Sequence, residues 1–227
     1  MPRWKKQRLG LPLYDCFIHL MKIDLHCHSR YSHDNYLEPE DLIAAAIDRG
    51  LDGVCFTEHY SVEASREVEN IKVPRGFFVF RGVEIATAWG HLLAFGLRDD
   101  RWNRWGRDNY LDAREVIESV HSLGGICVPA HPFRSFASFG NRLAQLDGLD
   151  AVETHNGSNS VSENNLARDF ARQRGLVSVG GSDCHRKDQV GRAFTRFDQP
   201  VTSIAEIVAQ IRQGRCRGVC HEKTTKL

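Results

Sequence analysis

Histidines and acids recur in this chain at the points where apolar, strand-like runs end. His26 and His28 follow Lys22-Ile-Asp-Leu, and His59 follows Gly53-Val-Cys-Phe-Thr-Glu. Glu84 ends Gly82-Val-Glu, His91 stands in Gly90-His-Leu, and His131 follows Ile126-Cys-Val-Pro-Ala. Asp183 and His185 follow Leu176-Val-Ser-Val-Gly-Gly-Ser. A barrel strand lifts its last residues out of the core toward the mouth, so repeating this placement gathers distant residues at one rim. In His26-Cys27-His28 the two imidazoles point the same way at strand spacing, so both can hold one ion. Asp34 lies in the loop that this first strand feeds. Neutral imidazoles mixed with hard carboxylates suit manganese, zinc or iron. Several divalent ions held close together suit hydrolysis of a phosphate ester. They clamp the phosphate oxygens, lower the pKa of a water and stabilise the leaving oxygen.

The elements that must position these residues alternate along the chain. Met21 to Leu25 reads as a strand, and Pro39 to Arg49 as a helix with Leu42, Ile43, Ala46 and Ile47 on one face and Gly50 as its stop. Strands are expected over Gly53 to Thr57, Phe77 to Ile85 and His91 to Leu97, the last two separated by the turn Thr87-Ala-Trp-Gly90. Leu111 to Leu123 carries a helical apolar face, and Gly124-Gly125 leads into a strand from Ile126 to Ala130. After a strand over Asp150 to Thr154, Ser160 and Glu163 form a capping-box start for a helix to about Arg174. Strands over Leu176 to Val179, Ala193 to Phe197 and Arg217 to Cys220 and a helix over Ser203 to Gln213 complete the pattern. The expected fold is α/β, a parallel sheet closed into a barrel. Residues 21–227 would be one domain, with residues 1–20 a basic extension and Met21 an alternative start.

Lysine and arginine nearly balance aspartate and glutamate, for a formal charge of +1, so no global charge points to a nucleic-acid or membrane surface. The seven cysteines are odd in number and form no CxxC pair, against a disulfide framework or zinc ribbon and in keeping with a reducing cytoplasm. No apolar stretch approaches the roughly 20 residues that span a bilayer, and the N-terminus lacks a signal-like segment. A cytoplasmic chain is expected, with no membrane partner and no obligate protein partner.

Taken in order, His26-Cys-His28, Thr57-Glu-His59, Gly82-Val-Glu84, Gly90-His91-Leu, Ala130-His131-Pro and Gly181-Ser-Asp183-Cys-His185 resemble the PHP family, the polymerase and histidinol phosphatase domain. The resemblance spans Met21 to about Gly191. It implies a distorted (β/α)7 barrel with a trinuclear metal centre at the C-terminal rim. Carried over residue by residue, it places His26 and His28 with Glu84 and Asp183 around a first metal. Glu84 would bridge to a second, held also by His91 and His131, and Asp34, His59 and His185 would hold a third. Glu84, Asp183 and His131 would be central to catalysis. Metal-activated hydroxide would be the nucleophile, and a small phosphorylated compound or a nucleotide the substrate.

Alternatives stand at several positions. The family more often has aspartate where Glu58 precedes His59, which touches tuning of the site. His33 competes with Asp34 as third-metal ligand, and His155 ends a strand beside Glu153 and Asn156, which are expected to organise the rim. Arg134 and Arg192 lie just beyond ligand motifs, where a guanidinium could bind phosphate or make a loop salt bridge. Residues Arg98 to Arg107 include Trp102 and Trp105, which either stack on a nucleotide or pack down under a solvated loop. His19, His121 and His221 read as ordinary surface or helix residues. A nucleotide or oligonucleotide phosphodiesterase, an amide hydrolase and a metal-binding module without turnover remain alternatives to a phosphatase.

Overall fold

Residues 20–105 and 111–221 are described by this computed structural model. In chain order they form β1 (Met21–Cys27), α1 (Pro39–Asp48), β2 (Gly53–Phe56), β3 (Phe78–Arg81), β4 (Val83–Ala86), β5 (His91–Phe95), α2 (Ala113–Ser122), β6 (Ile126–Pro129), β7 (Ala151–Asn156), α3 (Val161–Arg174), β8 (Val177–Gly181), β9 (Ala193–Phe197), α4 (Ile204–Arg212) and β10 (Cys216–Cys220). The possible extension before Met21, with His19, lies outside the described residues apart from Leu20, as does Arg107.

β1 is central because its alternation suits two environments. Met21, Ile23 and Leu25 enter the main apolar core with Phe80, Leu93, Phe95, Val128 and Phe197. Asp24 and His26, on the alternate positions, are buried toward the polar centre. The strand pairs in parallel with β2 and antiparallel with β9, in a sheet ordered β10-β9-β1-β2-β3. A second sheet, β4-β5-β6, is antiparallel, and β7 with β8 forms a parallel pair.

Helix ends follow local chemistry. Asp112 caps α2 by accepting from the Arg114 and Glu115 amides, and Ser160 with Glu163 closes a capping box on α3. A second box, Ser203 with Glu206, starts α4.

Two expectations change. The run from Phe77 to Ile85 is divided at Gly82. A Cβ there would lie 2.8 Å from the Phe95 ring and 2.9 Å from the Ala94 carbonyl oxygen, so only a glycine lets the chain pass from β3, paired with β2, to β4, paired with β5. The strands also do not close into a single parallel ring among the described residues; they make three sheets of mixed direction. The short Thr87 to Gly90 connection, in which the Thr87 amide and hydroxyl both donate to the Gly90 carbonyl, joins β4 to β5 without a helix. Such a turn can only return the chain antiparallel. The architecture is mixed α/β.

Close approach of β8 to β1 brings the two chain ends of the site together. At Gly181 a Cβ would stand 2.3 Å from His26 Cβ and 2.6 Å from the His26 nitrogen. The Asp183 amide donates to the His26 carbonyl at 2.7 Å. Asp24, fully buried, accepts from the Ser182 amide at 2.8 Å and the Gly191 amide at 2.9 Å. No helix of the described residues is long and apolar enough to cross a membrane.

Because the Gly181 contact is with backbone, Gly181→Ala should cost about 3 kcal/mol, the upper part of the overpacking range. Thermal unfolding should show the lowered midpoint, while alanine at Gly175, where nothing lies within 4 Å and φ is +65°, should cost less.

Candidate metal centre

Glu84, at the second position of β4, is almost fully buried and meets five imidazoles. Its Oε1 lies 3.0 Å from His91 Nδ1, 3.0 Å from His131 Nε2 and 3.4 Å from His26 Nε2. Its Oε2 lies 3.2 Å from both His28 Nε2 and His59 Nδ1. Asp183 Oδ1 stands 3.5 Å from the Nε2 atoms of His26 and His28 and 3.9 Å from His185 Nδ1. Asp34 Oδ2 lies 3.3 Å from His59 Nε2 and 3.4 Å from His185 Nε2. The nine residues singled out in the sequence thus converge from β1, β4, β5 and the loops after β1, β2, β6 and β8.

A layer of hydrogen bonds orients the donors. Glu153 on β7 accepts at Oε1 from His26 Nδ1, 2.9 Å away, and at Oε2 from the His131 amide at 2.7 Å and Asn156 Nδ2 at 2.9 Å. Glu58 accepts from the Ser29 amide at 3.1 Å and from the Ser29 and Ser32 hydroxyls. Ser32 Oγ in turn lies 3.2 Å from His28 Nδ1 and accepts from the His59 amide. Arg134 donates to Asp183, to Asn156 Oδ1 at 3.2 Å and to Asn159 Oδ1 at 3.0 Å.

Burial opposes ionisation throughout, and neighbours decide the outcome. Burial works against charge on His26, but Asp183, Glu153 and Glu84 raise its pKa well above the ordinary imidazole value. Burial lowers His28 to about 4 against the pull of Glu84, leaving it neutral at pH 7. Burial would raise Glu84 and Asp183, yet His26 and the other imidazoles hold both carboxylates below their usual range. Burial raises Glu58, which the Ser29 and Ser32 hydrogen bonds oppose.

Backbone strain concentrates here. Three of the four non-glycine residues at positive φ among the described residues are Tyr60 (+62°), His131 (+31°) and Asp183 (+52°), each in or beside the donor set. Such conformations cost on the order of 1–3 kcal/mol each and persist where surrounding contacts over-determine them. The Tyr60 amide donates to the Glu84 carbonyl at 2.9 Å, which ties its strained turn to the hub.

Other residues from the sequence fall elsewhere. His33 lies ring to ring with His59, centroids 5.4 Å apart, whereas Asp34 brings a carboxylate oxygen to two imidazoles. His155 turns from the centre: its Nδ1 meets the Thr154 hydroxyl and its Nε2 faces Arg168. Arg192 is engaged by Asp188 and lines a cavity with Arg49 and Asn164 that Asn156, beside Asp183, also borders. His121 pairs with Asp150 at 2.8 Å, and His221 packs on Phe194. Trp102 is fully buried and Trp105 packs against the same core, so Trp102 offers no face to a nucleotide. Missing from the sequence reading were Asp24, Ser32 and Tyr60. An acid inside an otherwise apolar strand, as at Asp24, was the available signal.

The donors fit metal ions. His26 Nε2 and His28 Nε2 face each other at 3.1 Å, among carboxylate oxygens 3.2 to 3.5 Å away. Ligands bonded at about 2.0–2.2 Å to one ion stand about 3.0–3.5 Å apart along the edges of its coordination shell. Four sets of three donor atoms lie within 4.8 Å of one another: His28, His59 and His185; His26, His28 and Glu84; His26, His131 and Asp183; Glu84, His91 and His131. The buried His131 Nδ1 has no hydrogen-bond partner. Imidazole nitrogens mixed with carboxylates suit transition-metal ions better than calcium.

Glu153→Gln should weaken metal binding about 10- to 100-fold, because it alters the orientation and basicity of His26. His155→Ala should leave it unchanged; equilibrium titration with a competing chelator reads both. His26 keeps its proton to higher pH than a free imidazole, yet a ligand must be neutral, so binding should expel a proton and weaken as pH falls. Calorimetry in two buffers of different ionisation enthalpy should show that release.

Comparison with known proteins places this geometry in a family. The PHP domain model matches residues 24–145, more than half of the chain, and the PHP-associated model matches residues 161–216. A protein of Caldicellulosiruptor saccharolyticus named probable phosphatase is 26% identical, with 76% of this chain and 83% of that protein covered. A two-domain protein of Bacteroides vulgatus containing a predicted PHP-like metal-dependent phosphoesterase shares the fold with a TM-score of 0.64 and 21% identity over 89% of this chain and 65% of that one. The lesion-specific endonuclease PfuEndoQ of Pyrococcus furiosus gives 0.69 and 20% over 88% of this chain and 57% of that one. The chain therefore spans just under two thirds of the first of these solved proteins and somewhat over half of the second. By its own sequence over residues 24–145, the chain belongs to the PHP domain family.

Proposed function

We propose that this protein is a metal-dependent phosphoesterase, with up to three divalent ions held by His26, His28, Asp34, His59, Glu84, His91, His131, Asp183 and His185. The observation that carries the reading is Glu84, whose two oxygens each face at least two imidazoles, the arrangement that lets one carboxylate serve adjacent ions. Bound ions would supply a water of lowered pKa and positive charge for the phosphate and leaving oxygens. The names of the Caldicellulosiruptor and Bacteroides proteins point the same way.

The chain's own residues divide the remaining work. Glu153 and Ser32 hold the rings of His26 and His28 in place, and Asn156 steadies Glu153 and lies 3.4 Å from Asp183. Arg134, mostly buried against Asp183, brings a guanidinium to the centre, where it would bind a substrate phosphate through two hydrogen bonds. Arg192, paired with Asp188, lines a cavity that reaches Asn156 and suits a contact to a distal part of the substrate.

Metal content and turnover test the proposal together. Protein stripped by chelation and reloaded with manganese, zinc or iron should hold about three ions and hydrolyse a generic aryl phosphate monoester or diester. Asp183→Ala should lower turnover by about a hundredfold or more with the fold retained. Bound metal with neither ester cleaved would move the reading to an amide hydrolase or a module without turnover.

A further inference from the structure

Glu58 is fully buried in the turn after β2 and is hydrogen-bonded by the loop that follows β1. Its Oε1 accepts from the Ser29 hydroxyl at 2.6 Å and the Ser29 amide at 3.1 Å. Its Oε2 accepts from the Ser32 hydroxyl and, at 3.2 Å, from the same amide.

Counting protons at Ser32 fixes more than position. A serine hydroxyl has one proton and two lone pairs. The proton goes to Glu58 Oε2, and one lone pair takes the His59 amide at 3.2 Å. His28 Nδ1, also 3.2 Å away, meets the remaining lone pair and has to bring a proton of its own. A neutral imidazole, the form that binds metal, carries a single N–H, so Nε2 is left bare. That nitrogen is the one turned to the centre, 3.2 Å from Glu84 Oε2 and 3.5 Å from Asp183 Oδ1. The same hydroxyl also holds the His59 backbone. One link therefore serves two sets of donors, His26 with His28 and Glu84, and His28 with His59 and His185.

Without the carboxylate, the Ser32 proton is free to turn to His28 Nδ1. The imidazole proton then moves to Nε2 and blocks the lone pair that a metal needs. The length of the side chain matters as well as its charge. An aspartate here would keep the charge but, one methylene shorter, would fall short of Ser32 while bonded to Ser29.

We propose that Glu58 is a positioning residue for the metal centre: through the Ser32 hydroxyl it holds the His28 proton on Nδ1 and keeps Nε2 bare for an ion. The assignment rests on the metal-binding part of the function proposed above and is independent of which bond is hydrolysed.

Zinc affinity, read by titration against a competing chelator, and nitrogen-15 NMR of the imidazoles in the metal-free protein test it together. Glu58→Asp and Ser32→Ala should each weaken zinc binding about 10- to 100-fold, and the double variant should be no weaker than either alone. Ser29→Ala takes another hydroxyl from Glu58 but leaves the link, and should bind zinc as the wild type does. With His28→Gln to assign the resonances, His28 should be protonated at Nδ1 in the wild type and in Ser29→Ala. Glu58→Asp and Ser32→Ala should show a population protonated at Nε2. A Glu58 that acted only as a buried negative charge would leave Glu58→Asp unaffected. His28 protonated at Nε2 in the wild type, wild-type affinity in Glu58→Asp, losses that add in the double variant, or an equal loss in Ser29→Ala would overturn the assignment. A wild type that binds no zinc would overturn the metal reading itself, and an Nδ1-protonated His28 in that protein would set this apart from failure of the link.

Discussion

One buried carboxylate sets the terms for this fold. Glu84 has to sit within hydrogen-bonding reach of five imidazoles contributed by four separate stretches of chain. Polar groups so deeply placed are costly unless every one has a partner. The structure meets most of this by linking the donors to one another and to Glu153, Ser32 and Asn156, with His131 Nδ1 left unpartnered. The resulting charge balance is uneven: burial keeps His28 neutral, while Asp183, Glu153 and Glu84 favour the protonated form of His26. On the metal-binding function proposed above, a divalent ion would take the place of that proton and supply a stronger charge to the same acids.

The backbone is shaped around that requirement. Gly82 lets the chain leave one sheet for another so that Glu84 arrives at the centre, and Gly181 lets β8 lie on His26. His131 and Asp183 adopt left-handed conformations that no ordinary strand ending would need. The hydrogen bonds that Asp24 accepts from the Ser182 and Gly191 amides hold the last of these turns against β1.

Much of the centre was legible because metal ligands need particular side chains at strand ends, and both properties are visible in a sequence. His26, His59, Glu84 and Asp183 each follow an apolar run, and the run predicts the strand that delivers them. Partnership between strands was not legible in this way. The alternation of β3 and β4 is continuous across Gly82, and the collision with Phe95 that divides them comes from a distant strand. The same holds for direction: a parallel ring was the natural reading of alternating elements, and the tight Thr87 to Gly90 connection produced an antiparallel sheet instead. Arg134 and Arg192 looked alike in sequence, each following a ligand motif. Their separation depends on Asp188 and Asp183, which claim one each.

The joining of His26 to Asp183 also governs when the centre can come into being. These residues stand near opposite ends of the described chain, yet the Asp183 amide bonds to the His26 carbonyl. A ribosome adds roughly 5–20 residues per second, so His26 is made several seconds or more before Asp183 can reach it. During that interval the nascent chain can present histidines and Glu84 but not the strand that closes over them. Metal captured then would be held by an incomplete shell and exchange freely, and selection among competing ions would fall to the finished fold.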